Sequence, residues 1–212
     1  MSNWFYNLVW CACWPAFGVS SSPIVLHRER GRRPGAYLLA ANHLSPLDVP
    51  CIMKETHRQI DFISIVEVFR NPLIGWFYGH MGAFPLDRGR VDTGTTRTIL
   101  DRLKHGRVVG IFPEGSVQTD ETSVLYGGRM KPGVFRIAKL ANVPIMPVVI
   151  IGTRAYHRLW SWLPVRRVRY GVNFGEPIEV REGEDLPALE ARLREAFRAL
   201  HEELKGAMPN VR

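Results

Sequence analysis

Asn42-His43-Leu44-Ser45-Pro46-Leu47-Asp48 places an imidazole and a carboxylate five positions apart across a turn. If the turn folds Asp48 back onto the His43 ring, the carboxylate fixes the imidazole tautomer and stabilises the imidazolium. The other ring nitrogen is then left as a general base. The plainer alternative is that both side chains merely hold the turn. Two further polar clusters bear on that choice. Asp87-Arg88 brings a planar guanidinium suited to gripping phosphate bidentately, although an ion pair with Asp87 or Asp92 would account for Arg88 equally well. Glu114-Gly115-Ser116 is a turn that combines a carboxylate and a hydroxyl. A base with its carboxylate, a guanidinium and a turn carboxylate make a coherent set for an anionic substrate.

Each cluster follows an apolar run. Residues 36–41 read as a buried strand, 82–88 as a short extended piece ending in charge and 107–112 as a further strand, with residues 59–65 as another. Ser45-Pro46 is a turn signal, because proline biases the preceding residue away from helix. A short helix can then begin near Leu47, with Asp48 in its first turn. Further helices are expected from Pro72, over 93–105 with Gly106 just past the end, and over 133–141. Leu189, Leu193, Phe197, Leu200 and Leu204 mark an amphipathic C-terminal helix. Residues 143–151 and 166–174 complete the strands, and Pro144 and Pro147 make the first half of 143–151 an edge or irregular piece. Residues 116–128 form a polar, glycine-tipped loop. The alternation implies an α/β fold in a single domain, with a mixed, largely parallel sheet flanked by helices. Sites in such sheets lie beyond the carboxyl ends of the strands, so the three clusters can share one crevice.

The 212 residues and 46% hydrophobic content suit one globular domain. A net charge of +8 favours anionic partners: a membrane surface, nucleic acid or a phosphorylated substrate. Cys11, Cys13 and Cys51 are an odd set without metal-like spacing, as for reduced thiols facing the cytosol. Neither a basic n-region nor a small-residue cleavage site opens the chain, so a secretory signal is not expected. Trp4, Trp10 and Trp14, with Phe5, Tyr6 and Phe17, cluster in an apolar stretch shorter than the roughly 20 residues needed to span a bilayer. A helix lying in the membrane interface fits this composition, and the alternative is a helix packed on the core. The basic run His27–Arg33 would then meet anionic headgroups. The expected division is a membrane-interface segment, 1–22, followed by the main domain, 23–212.

Asn42 to Asp48 resembles the H-x4-D block of the glycerolipid acyltransferases, specifically the 1-acyl-glycerol-3-phosphate (lysophosphatidic acid) acyltransferases. Gly82 to Arg88 resembles their second block, Phe112 to Ser116 their third, and Val143 to Val148 their fourth, all in the family's order. Lys131-Pro132-Gly133 is similar to the family's basic step before the next helix. The resemblance implies transfer of an acyl group from acyl-CoA or acyl-carrier protein to a lysophospholipid hydroxyl, in phospholipid biosynthesis; the thiols and the Trp-rich opening stretch place the expected site of action on the cytoplasmic face of a membrane. It makes His43 and Asp48 catalytic and Arg88, Glu114, Gly115 and Ser116 acceptor-binding. It implies neither a metal, nor a cofactor, nor an acyl-enzyme intermediate.

The family's third block usually continues Gly-Thr-Arg-Ser, whereas this chain has Gly115-Ser116-Val117-Gln118. The hydroxyl stays and the arginine is gone, so its phosphate contact passes to Lys131, Arg129 or Arg136 or is lost. Lysophosphatidate leads as acceptor, with another lysolipid behind it. Thioester hydrolysis by the same base is a nearer rival than a non-catalytic basic module. Arg166, Arg167 and Arg169 would furnish such a module's patch, but no nucleic-acid-binding signature accompanies them, and nucleic acid is not an expected partner.

Overall fold

Strand β2 (Tyr37–Ala41) is buried along its whole length, as a strand is when other layers cover both of its faces. The computed structural model describes residues 4–86, 93–118, 120–157 and 167–209. Among these residues the other strands are β1 (Ser21–Leu26), β3 (Ile60–Ile65), β4 (Phe84–Leu86), β5 (Val108–Ile111), β6 (Ile145–Ile151) and β7 (Val168–Phe174). They form a single sheet in the order β1-β7-β6-β2-β5-β3-β4. Neighbouring strands run parallel except β6 and β7. The helices are α1 (Trp4–Ser20), α2 (Arg28–Gly31), α3 (Asp48–Thr56), α4 (Pro72–His80), α5 (Thr93–Lys104), α6 (Gly133–Ala141) and α7 (Leu186–Ala207). The result is the mixed, largely parallel α/β sheet that the alternation of patterns implies.

Side chains alternate along β2 and feed two cores. Leu38 and Ala40 pack with Ile99 of α5, Phe135 of α6 and Phe197 of α7. Tyr37, Leu39 and Ala41 pack on the other face with Ile52 of α3, with Phe62 of β3 and with Tyr6 of α1. Burying each large apolar side chain contributes roughly 1.5–3 kcal/mol, so the sheet is clamped from both sides. The long helix α7 starts cleanly because the Asp185 side chain accepts from the Ala188 N–H, which satisfies one of the helix's open amide donors.

Two expectations are corrected, and one strand is additional. β6 is neither an edge nor irregular along β2: it lies between β7 and β2, with Pro147 opposite Ala40. On the β7 side, pairing runs from Val148 opposite Phe174 and resumes at Ile145 opposite Ile178. Pro147 sits in the bulge between these pairs, where its carbonyl accepts from the Gly175 N–H. A missing amide donor is tolerated at such a bulge. β1 has no counterpart in the sequence reading. It follows α1 directly at Ser21, and Pro23 suits the edge that it occupies.

The basic run His27–Arg33 is the second correction. Arg28 pairs with Glu55 at 2.6 Å, Arg30 with Glu176 at 2.8 Å, Arg33 with Glu179 at 3.4 Å and His27 with Glu203 at 2.9 Å. The run connects the end of β1 to the start of β2, so it lies at the opposite end of the sheet from His43. Its cations are answered largely by the chain's own carboxylates rather than presented together to a headgroup layer. Among the described residues, no helix is long and apolar enough to cross a membrane.

Candidate active site

Asn42 ends β2 by extending its ladder with a side chain. Its Nδ2 donates to the Ile150 carbonyl and its Oδ1 accepts from the Ile150 N–H, both at 2.8 Å. The side chain thus stands in for a backbone partner and fixes where the chain leaves the sheet. The Ser45-Pro46 turn then returns the chain, with the Asp48 N–H donating to the Ser45 carbonyl at 3.0 Å. Asp48 opens α3 and is fully buried.

The Asp48 carboxylate gathers the whole turn. Its Oδ2 lies 3.0 Å from His43 Nδ1 and accepts from the N–H groups of Leu44 at 2.7 Å and Ser45 at 2.8 Å. Its Oδ1 accepts from the Thr153 hydroxyl. With an ionised carboxylate on Nδ1, that nitrogen carries the proton and Nε2 keeps its lone pair. The His43 side chain is 16% exposed and contributes to the wall of a cavity of about 800 Å³. Its ring stacks on Phe112 with centroids 3.9 Å apart and planes 12° from parallel, and Phe112 in turn stacks on Phe62 at 5.5 Å. This column of rings roots the imidazole in the core.

Glu114 takes a different place from the acceptor contact that the resemblance implies. Its Oε2 accepts from the His43 N–H at 2.6 Å, while Oε1 accepts from the Ser123 hydroxyl at 2.7 Å and the Val124 N–H at 2.8 Å. It is buried and is not among the residues that line the cavity. Burial pushes its carboxyl above the ordinary range, opposed by the hydrogen bonds from Val124, Ser123 and His43. Glu114 therefore ties the loop after β5 to the backbone of His43, as does Gln118, whose N–H donates to the His43 carbonyl at 2.8 Å.

Gly115 has φ +75°, and a Cβ there would meet Lys131 Cε at 2.6 Å. Only glycine permits both this backbone and the lysine lying across it. The Lys131 N–H donates to the Pro113 carbonyl at 2.8 Å. Its side chain is exposed at the cavity mouth with no ion-pair partner among the described residues. Ser116 also lines the cavity, with its Oγ accepting from Gln118 Nε2 at 2.9 Å. Val117 lines it too, at the position where the family's arginine would stand. Asp87 and Arg88 lie outside the described residues.

The cavity runs over the carboxyl ends of β5 and β3 and reaches both faces of the sheet. On one side it is bounded by Val9, Met53, Phe77 and Tyr78, and on the other by Thr95, Ile99, Val134 and Ile137. An apolar space of this size with a few polar groups at one point suits an apolar ligand with a polar end. Beside it, the Cys51 thiol is fully buried and its pKa is pushed up by desolvation, so it is no nucleophile. Thr153 and Ser123 are absent from the sequence reading. Thr153 carries one signal, its position two residues beyond the carboxyl end of β6.

Residues 23–151 match the family model described as Acyltransferase. The chain is 31% identical over 176 residues to the 1-acyl-sn-glycerol-3-phosphate acyltransferase of Streptococcus pneumoniae, an alignment that covers 80% of this chain and 62% of that protein. It is 26% identical over 182 residues to the protein of the same name from Bacillus subtilis, covering 85% of each. A Pseudomonas aeruginosa lyso-ornithine lipid O-acyltransferase is 31% identical over 123 residues, which is 58% of this chain and 45% of that one. The crystal structure of the 1-acyl-sn-glycerophosphate acyltransferase from Thermotoga maritima superposes with a TM-score of 0.68 over 88% of this chain and 74% of its own, at 22% identity. That likeness concerns the fold.

Proposed function

The chain belongs to the acyltransferase family, and from that premise we propose that it acylates the free hydroxyl of a lysophospholipid, with 1-acyl-sn-glycerol-3-phosphate as the leading acceptor and phosphatidic acid as product. The observation that carries this reading is the His43–Asp48 contact at 3.0 Å, made by a ring that borders an apolar cavity. His43 Nε2 takes the proton of the acceptor hydroxyl as its oxygen attacks the thioester carbonyl. The tetrahedral intermediate collapses by breaking the carbon–sulfur bond, and the departing thiolate recovers the proton from the imidazolium. Asp48 stabilises that imidazolium and holds its tautomer. General-base assistance of this kind is typically worth ~10²–10⁴-fold. The donor is acyl-CoA or acyl-carrier protein. In this scheme Ser116 and Lys131 contact the acceptor's polar end, Gly115 makes room for the lysine, and Arg88 adds a second cation from the second block. The enzyme works docked on a membrane face through α1 without crossing it.

Val117, standing where the family has arginine, favours a second reading within the same chemistry: an acceptor whose headgroup needs less phosphate recognition, another lysolipid. One experiment tests both. Purified protein is given labelled acyl-CoA or acyl-carrier protein and a panel of lysolipids, with products resolved by mass. Acylation of lysophosphatidate above all other acceptors supports the leading reading, and preference for a different lysolipid supports the second. Release of free fatty acid at the same rate with and without acceptor would replace both with thioester hydrolysis.

A further inference from the structure

Helix α4 carries no charged side chain before its last residue, His80, and has no buried residue. Leu73 is 79% exposed and Trp76 55%, with Ile74, Phe77 and Tyr78 also open to solvent. From Asn71 to Leu86 the sequence contains no Asp, Glu, Lys or Arg. A helix that is hydrophobic all round belongs in a core or in lipid, and a contiguous exposed apolar patch marks an interaction surface. The helix is nevertheless well anchored at its flanks. The Asn71 side chain caps it by accepting from the Leu73 and Ile74 N–H groups. Gly75 sits against the Phe69 backbone, where a Cβ would meet the carbonyl oxygen at 3.0 Å. Phe5 of α1 packs edge-on against Trp76 at 5.0 Å and Phe77 at 6.1 Å, and Trp4, 70% exposed, packs against Phe5. The N-terminal turn of α1 and the body of α4 thus form one aromatic face.

We propose that α4 is a second membrane-docking element, which together with the start of α1 seats the cavity on the bilayer so that lipid enters beside Phe77 and Tyr78. Continuity favours lipid over another occupant. Val9 of α1 and Phe77 and Tyr78 of α4 line the same cavity as His43, so the exposed face leads directly into the site. Its composition, with tryptophan, tyrosine and phenylalanine between an exposed Arg70 and His80, is that of an interfacial element. The entry route rests on the reading of the substrate as a lysolipid, whereas the docking itself does not.

Leu73→Glu and Ile74→Glu change residues that project to solvent and lie outside the cavity wall, so the fold has no reason to fail. Sedimentation with vesicles of phosphatidylcholine and phosphatidylglycerol reads the docking. Each variant is expected to bind at least about tenfold more weakly than the wild type, the fold-change of a lost apolar anchor and an added charge at the interface. Transfer to acceptor presented in the same vesicles should fall in step, while transfer to a dispersed short-chain acceptor stays within about twofold of wild type. Vesicle binding unchanged in both variants overturns the proposal. So does a wild-type dimer in gel filtration that Leu73→Glu dissolves, which would make α4 a protein interface. Vesicle binding that depends on Leu73 in a protein that acylates no lysolipid would instead keep the docking face and overturn the substrate reading.

Discussion

Two buried carboxylates hold His43, and they hold different parts of it. Asp48, from the turn after β2, bonds the imidazole and takes the Thr153 hydroxyl besides. Glu114, from the turn after β5, bonds the His43 backbone N–H and two groups of its own loop. Both carboxyl groups are buried with each oxygen engaged by a hydrogen-bond partner, as buried polar groups must be. Only Asp48 touches the group that would move a proton. The difference separates tuning from placing: one carboxylate sets the electronic state of the ring, and the other sets where the ring stands. Sequence alone makes Glu114 look like an acceptor contact because it sits in a motif beside the site, although its bonds run inward.

The comparison breaks most sharply at His43. His43→Ala should abolish nearly all transfer, a loss of ~10²–10⁴-fold or more, in a protein that still folds with a somewhat lowered thermal midpoint because the ring stacking and the bond to Asp48 are lost. A stable variant that still acylated at the wild-type rate would remove His43 from catalysis. Asp48→Asn should lose a large part of the same factor, and the double variant should be hardly worse than His43→Ala, since residues acting as a unit are non-additive. Single-turnover rates check this.

Thr153→Val removes the hydroxyl on Asp48 Oδ1 and should destabilise by about 1–3 kcal/mol. If the threonine positions Asp48, the pH at which kcat/KM falls on the acid side should also move, and Thr153→Ser should restore it. A lowered midpoint with an unmoved pH profile would make the threonine purely structural.

Glu114→Gln should act on the other carboxylate's terms. With Oε1 kept on Ser123 and Val124, the new amide faces the His43 N–H, so a moderate loss of stability accompanies a loss of kcat. The folded-state pKa of Glu114 is raised by burial, so the folded protein keeps a proton that the unfolded chain has released. Wild-type stability from this residue is therefore lost as pH rises from the ordinary glutamate range through the raised value. The variant lacks that component. Its thermal midpoint should gain on the wild type's as pH rises above the ordinary glutamate range, and a constant difference would show that Glu114 does not titrate in this way. Smallest is Lys131→Ala. An exposed cation is worth ~1 kcal/mol or less, so KM for an anionic acceptor should rise roughly fivefold or less, with the donor's KM unchanged.

Much of this architecture is legible in the chain. The path from β2 through Ser45-Pro46 into α3 follows from an apolar run, a turn dipeptide and an acidic first turn. α7 follows from the spacing of Leu189, Leu193, Phe197, Leu200 and Leu204. What escaped has physical reasons. β1 begins Ser21-Ser22-Pro23, without the alternation that marks a half-buried strand. Pro147 argues against a central position unless the bulge beside it is known, and the bulge depends on Gly175 and Ile178 far along the chain. The partnership of Thr153 with Asp48 crosses the sheet between residues remote in sequence, as do the two bonds of Asn42 to Ile150. The ion pairs of the His27–Arg33 run depend on glutamates from three separate later segments. Charge patterning shows a cationic run and says nothing of which anions will come to meet it.

The ring column beneath His43 gives that residue its own spectroscopic address. With the Phe112 ring stacked at 3.9 Å and nearly parallel, the carbon-bound imidazole protons lie within the shielding region of its circulating π electrons. In a proton NMR spectrum the His43 signals should stand upfield of those from the solvent-facing imidazole of His105. His43 could then be followed individually through a pH titration or a ligand titration, and any substrate that tilted the ring off Phe112 would report its own arrival as a downfield shift.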